Sequence, residues 1–381
     1  MFLIGANNSG KSSILQALAF TQYFAQGKSR SFFEDRGWNR QDIRSRTGQG
    51  RAGALALDLL LESNATEQIV WKFTWGLVSA RPIAESIWVR NSRDTLPRRI
   101  LHYTRARDRR SKRTSPLQGL KPEGSVLAVL EPEAFAPGDE TILKEVLRWG
   151  LGVSSLELLS PVAMRRGFRG EADDIGPRGE RLAGFIAGLN ARTKNDLIER
   201  LSRFYKIENI ETTRKRAGWV DLRVAEEFAR VGSTPAAHIS DGFLRLLALS
   251  TIPEFDESIG LVLLDEVEDG IEPHILPKFI QSIARESKAQ LILSSHSPLL
   301  INFFEPDEIC LLSRSPKGHT VAARLSDLKI FKTGSEYLGS GEIWANTDLK
   351  EITRETTSIH RKSTPAQLNS LEDVAAFMDF K

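Results

Sequence analysis

Apolar residues recur along the chain at strand and helix spacings, which predicts an α/β core. An apolar strand over residues 1–4 precedes a glycine loop, and residues 11–25 place Ile14 and Leu18 on one helical face. Further strand-like runs occupy residues 54–61, 68–75 and 86–90. Their lengths and alternation favour an antiparallel sheet that flanks the core.

The chain returns to core-like patterning after a long middle region. A helix is predicted from about residue 242, and apolar strands are predicted at 259–265, 290–294 and 308–313. The middle region has polar, loop-like stretches at 91–125 and 165–181, helical patterns at 139–150 and 180–205, and a strand pair near 207–224. We therefore expect a mostly helical insertion. Residues 331–381 are polar and predict one short helix at 371–379.

Composition adds few constraints to this picture. The 381 residues include 41% hydrophobic and 27% charged residues, the balance of a globular protein, and a net charge of +3. The single cysteine, Cys310, excludes an intramolecular disulfide, and its apolar surroundings predict a buried strand position. No apolar run reaches the length that spans a bilayer, and no secretory signal precedes the glycine loop, so a cytoplasmic location is expected.

The glycine loop carries the strongest chemical signal in the sequence. Residues 5–12 fit the pattern G-x-x-x-x-G-K-[ST]. Its glycines let backbone N–H groups face phosphates, and the following helix adds its N-terminal dipole. Lys11 is predicted to reach the β- and γ-phosphates and Ser12 to coordinate Mg²⁺. The predicted nucleotide contacts are Gly5, Asn7, Asn8, Ser9, Gly10, Lys11, Ser12 and Ser13.

Two later strands end in polar residues suited to the same site. Leu261-Val262-Leu263-Leu264 is followed by Asp265 and Glu266. Because parallel sheets bind ligands at the carboxyl ends of their strands, Asp265 is predicted to hold Mg²⁺ and Glu266 to activate water. The strand at 291–294 leads to His296, which is predicted to face the γ-phosphate.

A Ser-Asp-Gly sequence begins the helix predicted near residue 242. Ser240 is suited to cap that helix, and the free N–H groups behind it form a potential anion site together with Gly242. From the residues alone, a simple helix cap and an anion site are equally good interpretations.

Taken in order, these four motifs resemble the ABC-type ATPase heads of the SMC, RecF and OLD group. The similarity is greatest to short OLD-like AAA family ATPases, and residues 240–248 resemble their ABC signature. Residues 173–179 and 337–344 also resemble segments of that group. The resemblance implies that two heads sandwich two ATP molecules, so that Ser240 and Gly242 of one subunit contact the γ-phosphate held by Lys11 of the other.

The chain departs from the group at two places. Group members usually have a β-hairpin before the phosphate loop, whereas four residues precede Gly5 here. The first strand is therefore expected to lack a neighbour, and contacts to adenine cannot be assigned. The Leu-His-Pro tripeptide typical of the group is replaced by Ile271-Glu272-Pro273. Gln41 is a candidate for the Mg²⁺-linked glutamine of ABC proteins.

A basic segment predicts a second kind of ligand. It contains Arg90, Arg93, Arg98, Arg99, Arg105, Arg107, Arg109, Arg110, Lys112 and Arg113. Such clusters attract nucleic-acid phosphates, and Trp88, His102 and Tyr103 are candidates for stacking on bases, although a solvated basic loop is the alternative. The residues that follow the core contain no Asp-x-Asp pair, so a nuclease activity would come from a partner effector protein.

These inferences define the expected organisation and activity. Residues 1–90 and 236–330 are expected to form a discontinuous P-loop ATPase core, residues 91–235 an inserted lid, and residues 331–381 a C-terminal extension. The expected function is ATP binding and hydrolysis in a homodimer that acts on DNA or on a partner effector, in genome maintenance or phage defence. The alternative is a binding module that uses ATP to dimerise and scarcely hydrolyses it.

Overall fold

The computed structural model describes ten stretches of the chain: residues 1–43, 53–63, 67–105, 117, 120–130, 135–228, 232–334, 338–363, 368 and 370–379. The strands are β1 (Phe2–Gly5), β2 (Ala54–Ser63), β3 (Glu67–Gly76), β4 (Arg81–Asn91), β5 (Arg98–Thr104), β6 (Val153–Ser155), β7 (Phe168–Arg169), β8 (Ile207–Arg214), β9 (Trp219–Glu226), β10 (Thr234–Pro235), β11 (Leu261–Leu264), β12 (Gln290–Ser294), β13 (Ile309–Arg314) and β14 (Thr320–Arg324). The helices are α1 (Lys11–Ala25), α2 (Ser31–Arg36), α3 (Pro137–Leu151), α4 (Pro161–Met164), α5 (Leu182–Gly188), α6 (Ala191–Ser202), α7 (Asp241–Ser250), α8 (Leu276–Glu286), α9 (Pro298–Ile301), α10 (Lys329–Gly334), α11 (Ser340–Asn346), α12 (Leu349–Ser363) and α13 (Leu371–Met378).

A six-stranded sheet in the order β14-β13-β1-β12-β11-β6 carries the phosphate loop. The strands from β13 to β6 run parallel, with Leu3 paired to both Ser294 and Cys310. The expectation that β1 lacks a neighbour is therefore wrong. Although few residues precede the loop, β12 and β13 come from the distant C-terminal part of the sequence and flank β1 on both sides. The α/β fold class is confirmed.

A four-stranded antiparallel sheet, β2-β3-β4-β5, confirms the predicted strands at 54–61, 68–75 and 86–90. One face packs on an aromatic core in which Phe24 stacks on Phe73 with ring centroids 4.0 Å apart, and Phe33 stacks on Trp75 at 5.5 Å. Glu85 is buried in this core, where it accepts hydrogen bonds from Trp71 Nε1 (2.9 Å), Ser125 Oγ (2.6 Å) and Val126 N (2.7 Å). Burial raises the pKa of the Glu85 carboxyl, and these donors oppose the rise.

The middle region combines helices with short strands. It contains the predicted helices as α3, α5 and α6 and the predicted strand pair as β8 and β9. It also contributes β6, which extends the edge of the parallel sheet beside β11. Contacts divide the chain into two compact units, Met1–Gln16 with Val153–Ser313 and Ala322–Thr356, and Ala17–Gly152 with Arg314–Val321 and Thr357–Lys381. The boundaries that the sequence predicts for core, insertion and extension stay a prediction.

Arg200 on α6 ties three helices of the first unit together. Its buried guanidinium donates to the carbonyl of Ser250 at the end of α7, to Glu254 Oε1 (2.8 Å) and to Glu286 Oε2 (2.7 Å). A charge this deeply buried is tolerated because its donors meet carboxylates and a carbonyl. The end of α7 is thereby fixed to α6 and α8.

The C-terminal part holds more helix than its polar composition predicts. Helices α11 and α12 precede the predicted α13. Ile343 of α11 is buried, as are Ile352, Thr356 and Thr357 of α12. Helix α13 packs on β3, where Val70 contacts a cluster of Leu368, Val374 and Met378. No helix in the described part of the chain is long and apolar enough to span a bilayer.

Candidate functional site

The phosphate loop connects β1 to α1 through a backbone turn that requires glycine at its start. Gly5 has φ +154°, and a Cβ there would lie 2.4 Å from the carbonyl oxygen of Leu312 on β13. Ser9 N donates to Ala6 O (3.1 Å), which closes the loop onto itself. The loop places Asn7, Asn8 and Ser13 at the surface and half-buries Gly10 and Ser12. These positions match a loop whose backbone encircles an anion at a helix N-terminus.

Lys11 begins α1 and lies almost entirely out of solvent. Its Nζ donates to the carbonyl oxygens of Gly5 (3.0 Å) and Ala6 (3.3 Å) and contacts His296 Nδ1 at 3.2 Å. Burial lowers the pKa of the Lys11 ammonium, and the charges of three nearby carboxylates oppose that fall. Those carboxylates are Asp265, Glu266 and Glu268. The cation is thus held over the loop by carbonyls and balanced by acidic residues.

Asp265 and Glu266 lie at the carboxyl end of β11, beside the end of β12. The Ser294 hydroxyl at the end of β12 donates to Asp265 Oδ1 and accepts from Glu266 N (3.0 Å). One hydroxyl therefore fixes both residues of the pair. No sequence motif assigns a role to Ser294, although the parallel register Leu264–Leu293 places it directly beside Asp265.

Glu266 has a strained backbone and a half-exposed side chain. Its φ of 47° is in the left-handed region, which costs a residue other than glycine about 1 kcal/mol or more. This geometry places Oε1 of Glu266 3.5 Å from Nε2 of His296. The Lys11 ammonium can only donate, so a hydrogen bond at this contact requires an unprotonated Nδ1 on His296. A neutral ring in that tautomer has its proton on Nε2, facing Glu266.

The three predicted catalytic residues therefore form one chain of contacts. Lys11, His296 and Glu266 come from α1, from the turn after β12 and from the turn after β11. Ser12 follows Lys11 in the first turn of α1, and Asp265 precedes Glu266. No cluster of three or more His, Cys, Asp and Glu suited to a metal occurs among the residues that the structure describes.

Ser240 is the N-cap of α7. Its Oγ accepts from Phe243 N (3.3 Å), and both Ser240 and Asp241 are exposed. Asp241 pairs with Arg165, whose guanidinium also donates to the carbonyl of Ile239 (2.7 Å). The helix cap is thus observed, and contact of Ser240 with a nucleotide of a second subunit stays a prediction.

Gly242 has a structural reason to be glycine within its own subunit. A Cβ at this position would lie 2.1 Å from the carbonyl oxygen of Gly270 in the turn after β11. Arg245, one turn further along α7, pairs with Asp269 of the same turn at 3.3 Å. The start of α7 therefore packs directly against the turn that carries Glu266, a connection that the motifs did not reveal.

Three of the five basic residues of this segment that the structure describes are engaged within the protein. Arg90 donates to Gln68 (2.7 Å) and Asp379 (2.8 Å), Arg98 pairs with Asp139 (2.5 Å), and Arg99 lies 5.1 Å above the Trp88 ring. Tyr103 is buried, so its predicted stacking on bases is wrong: alternation along β5 turns it into the core. Arg93, Arg105 and His102 are exposed. Arg107, Arg109, Arg110, Lys112 and Arg113 lie outside the described residues.

The remaining motif residues have local contacts. Gln41 lies in a turn where its N–H donates to Asn39 Oδ1 (3.0 Å), and its role as the Mg²⁺-linked glutamine stays a prediction. Glu272 of the Ile-Glu-Pro tripeptide accepts from the Tyr205 hydroxyl (3.3 Å). In the 173–179 segment, Asp174 accepts from Gly176 N (2.8 Å) and pairs with Arg181 (2.7 Å).

Comparison with known proteins identifies the family. The family described as "AAA domain, putative AbiEii toxin, Type IV TA system" matches residues 1–302. The chain belongs to this AAA family. Its membership confirms the resemblance to AAA ATPases that the motifs indicated, and P-loop ATPases of this kind bind nucleotide. No curated protein matches the chain.

Solved structures of SMC head domains resemble the chain at low identity. An SMC head bound to the "C-winged helix domain" of ScpA is 13% identical, with a TM-score of 0.49 over 85% of this chain and 90% of that one. The SMC head domain of Thermotoga maritima is 12% identical, with a TM-score of 0.41 over 85% and 89%. A head with an extended coiled coil, bound to the C-terminal domain of ScpA from Pyrococcus furiosus, is 12% identical, with a TM-score of 0.40 over 88% and 92%.

Proposed function

We propose that this protein is an ABC-type ATPase that binds ATP at the phosphate loop, hydrolyses it with Glu266 as general base, and forms a homodimer around the nucleotide. The observation that carries the proposal is the contact chain Lys11–His296–Glu266 at the mouth of the loop. A cation, a hydrogen-bonding imidazole and a carboxylate of different elements are brought together where the γ-phosphate of a bound ATP would lie.

The chain's own residues divide the chemistry among them. The left-handed backbone of Glu266 aims a half-exposed carboxylate into the site, where it can take a proton from the attacking water. In the tautomer with its proton on Nε2, His296 can orient that carboxylate or donate to a phosphate oxygen. Lys11 supplies positive charge for the phosphates, after leaving its present carbonyl partners.

The residues also fit a magnesium ion. Mg²⁺ keeps most of its waters and needs one or two protein oxygens beside phosphate oxygens, which the Ser12 hydroxyl and the Asp265 carboxylate can supply. The bond from Ser294 holds that carboxylate at the strand end. When bound, the ion would neutralise charge that develops on the phosphate oxygens.

The exposed start of α7 supports a shared site. Ser240 and Asp241 are accessible to a second subunit, while Gly242 and Arg245 fix the same helix to the turn that carries Glu266. A nucleotide held by Lys11 of one subunit and capped by Ser240 of the other would therefore couple two hydrolysis sites through α7. Because each subunit would both hold one nucleotide and cap the other, the dimer would have twofold symmetry and two equivalent sites.

The direct test is the oligomeric mass of the wild-type protein with and without nucleotide. We expect monomers alone and with ADP, and dimers with Mg²⁺ and an ATP analogue that resists hydrolysis between its β- and γ-phosphates. Light scattering coupled to size exclusion measures the mass. A single mass under all conditions contradicts the shared-site proposal.

We further propose that the ATPase acts on DNA or controls a partner effector in genome maintenance or phage defence. An interaction with nucleic-acid phosphates is supported by the exposed Arg93 and Arg105 and by the basic residues that the sequence has between positions 107 and 113.

Charge reversal tests the interaction with DNA. Replacement of Arg93, Arg105, Arg107 and Arg109 by Glu is expected to weaken binding to duplex DNA about 10²-fold or more and to flatten its salt dependence. Fluorescence anisotropy at several salt concentrations measures both. The matched control reverses four basic residues that lie outside the basic segment, Arg169, Arg192, Lys194 and Arg216. If wild type and the four-Glu variant bind DNA with equal affinity and equal salt dependence, the interaction with DNA is contradicted. A partner effector would then be the target of the ATPase.

A further inference from the structure

Glu268 is an acidic residue of the site to which no motif assigned a role. It lies two residues after Glu266 in the turn that follows β11, and its charge acts on Lys11. Its Oε1 accepts a hydrogen bond of 2.5 Å from the backbone N–H of His296. Its Oε2 is buried, and no donor among the described residues reaches it. Among the described residues, the Glu268 carboxylate therefore accepts one hydrogen bond, from the backbone N–H of His296, although it lies within the site.

The bonded N–H belongs to the turn that aims His296. Strand β12 is held to β1 up to Ser295, whose N–H donates to Leu3 O (3.2 Å). Beyond it, Ser297 N donates to Ser295 Oγ (2.9 Å), a bond within the turn itself. The Glu268–His296 bond therefore links the backbone of this turn to the turn that carries Glu266, beside the His296–Glu266 side-chain contact and the bond from Val267 N to Ser294 O (3.2 Å) at the end of β12.

The two turns must keep their spacing for the contact chain to exist. His296 Nε2 lies 3.5 Å from Glu266 Oε1, and Nδ1 lies 3.2 Å from Lys11 Nζ. Both distances are at or near the limit of useful hydrogen bonding, so a shift of the turn by about 1 Å would lose them. A charged acceptor forms a shorter and stronger bond than a neutral one, which suits a residue that holds a turn in place.

We infer that Glu268 is a positioning residue, which holds the His296 turn against the Glu266 turn and so orients the imidazole between Lys11 and the general base. This inference rests on the proposed ATPase function. It assigns Glu268 to the hydrolysis step and leaves nucleotide binding to the phosphate loop.

Three substitutions separate position from charge. Glu268→Gln keeps an oxygen that can accept from His296 N and removes the charge. Glu268→Asp keeps the charge and draws the acceptor back by one methylene. Glu268→Ala removes both. Glu257→Ala is the matched control, because this exposed carboxylate pairs with the exposed Lys288 and lies in the same unit.

For a positioning role, Glu268→Ala and Glu268→Asp should lower kcat about 10²-fold, the loss typical of a misplacement of about 1 Å. Glu268→Gln should stay within about 5-fold of wild type, and all variants should bind an ATP analogue with a Kd within about 3-fold, because the backbone bond and the loop are separate. Steady-state kinetics, titration with a fluorescent ATP analogue and thermal unfolding give these quantities.

Other outcomes overturn the inference in distinguishable ways. Full activity in Glu268→Ala or Glu268→Asp shows that the bond does not position His296. A Gln variant as slow as Ala, with Asp active, shows that the charge matters and the position does not. Should Ala fail to fold, the comparison of Gln with Asp decides alone. A wild-type protein that neither binds nor hydrolyses ATP removes the proposed function together with this inference.

Discussion

The Glu266→Gln variant is expected to bind ATP with Mg²⁺ normally, to accumulate as a dimer, and to lose about 10²- to 10⁴-fold in steady-state hydrolysis. The physical reason is that Gln keeps the size and the polar contact to His296 but cannot take a proton from water. Its backbone bond to Ser294 does not involve the side chain, so the turn after β11 should keep its left-handed geometry.

Phosphate release and dimer mass measured on the same samples check this expectation. Glu257→Gln, which changes an exposed carboxylate elsewhere in the same unit, is the control and should match wild type in both. If wild type already hydrolyses ATP as slowly as Glu266→Gln, and both form dimers with ATP, the alternative is correct. The protein would then be a module that uses ATP as a dimerisation ligand.

The sequence predicts the phosphate loop and its strands because each has a local signature. A glycine turn between an apolar strand and a helix has few conformations in which its backbone polar groups are hydrogen-bonded. The conformation of residues 5–12 can therefore be predicted from their local sequence. Asp265 and Glu266 also have a local signature, because they directly follow the short apolar strand 261–264. Their roles in catalysis and metal binding stay predictions, whereas their placement at one sheet edge is an observation.

The parts that the sequence did not reveal depend on long-range pairing. The neighbours of β1 are β12 and β13, about 290 and 310 residues away along the chain. No local sequence pattern indicates which distant strands pair with β1. The roles of Ser294 and Glu268 depend on the pairing of β11 with β12, because an isolated Ser or Glu at a strand end is ordinary. The burial of Tyr103 follows from the alternation of β5, a signal that charge counting overlooked.

Under the proposed mechanism, the site and α7 are expected to change together. Glu266 is held in a strained conformation by Ser294, and the turn it starts is packed at Gly270 against Gly242. A change at the γ-phosphate that shifts this turn would press on the first residues of α7, since the two backbones have no side chain between them. Arg200 anchors the other end of α7, so the motion would concentrate at the exposed Ser240 end.

Mixing two inactive variants should restore activity if each site is shared between subunits. Lys11→Ala should bind ATP about 10- to 100-fold more weakly, because charge-assisted hydrogen bonds contribute about 1.5–3 kcal/mol each. Ser240→Arg should block the partner's site with a bulky side chain, while leaving its own phosphate loop unchanged. In a mixed dimer, Lys11 of the second variant and Ser240 of the first complete one intact site.

Random pairing at equal concentrations should recover about a quarter of wild-type hydrolysis, since about half of the dimers are mixed and each has one intact site of two. Phosphate release measured across mixing ratios should peak at equal amounts, and each variant alone should stay near background. Lys28→Ala, which removes an exposed lysine that is not part of the phosphate-loop motif, is the control for Lys11→Ala and should bind ATP as wild type does. Mixed dimers detected by two distinguishable tags but without recovery would show that each subunit completes its own site. Ser240 would then serve only as the cap of α7, the interpretation that its bond to Phe243 N supports within one subunit.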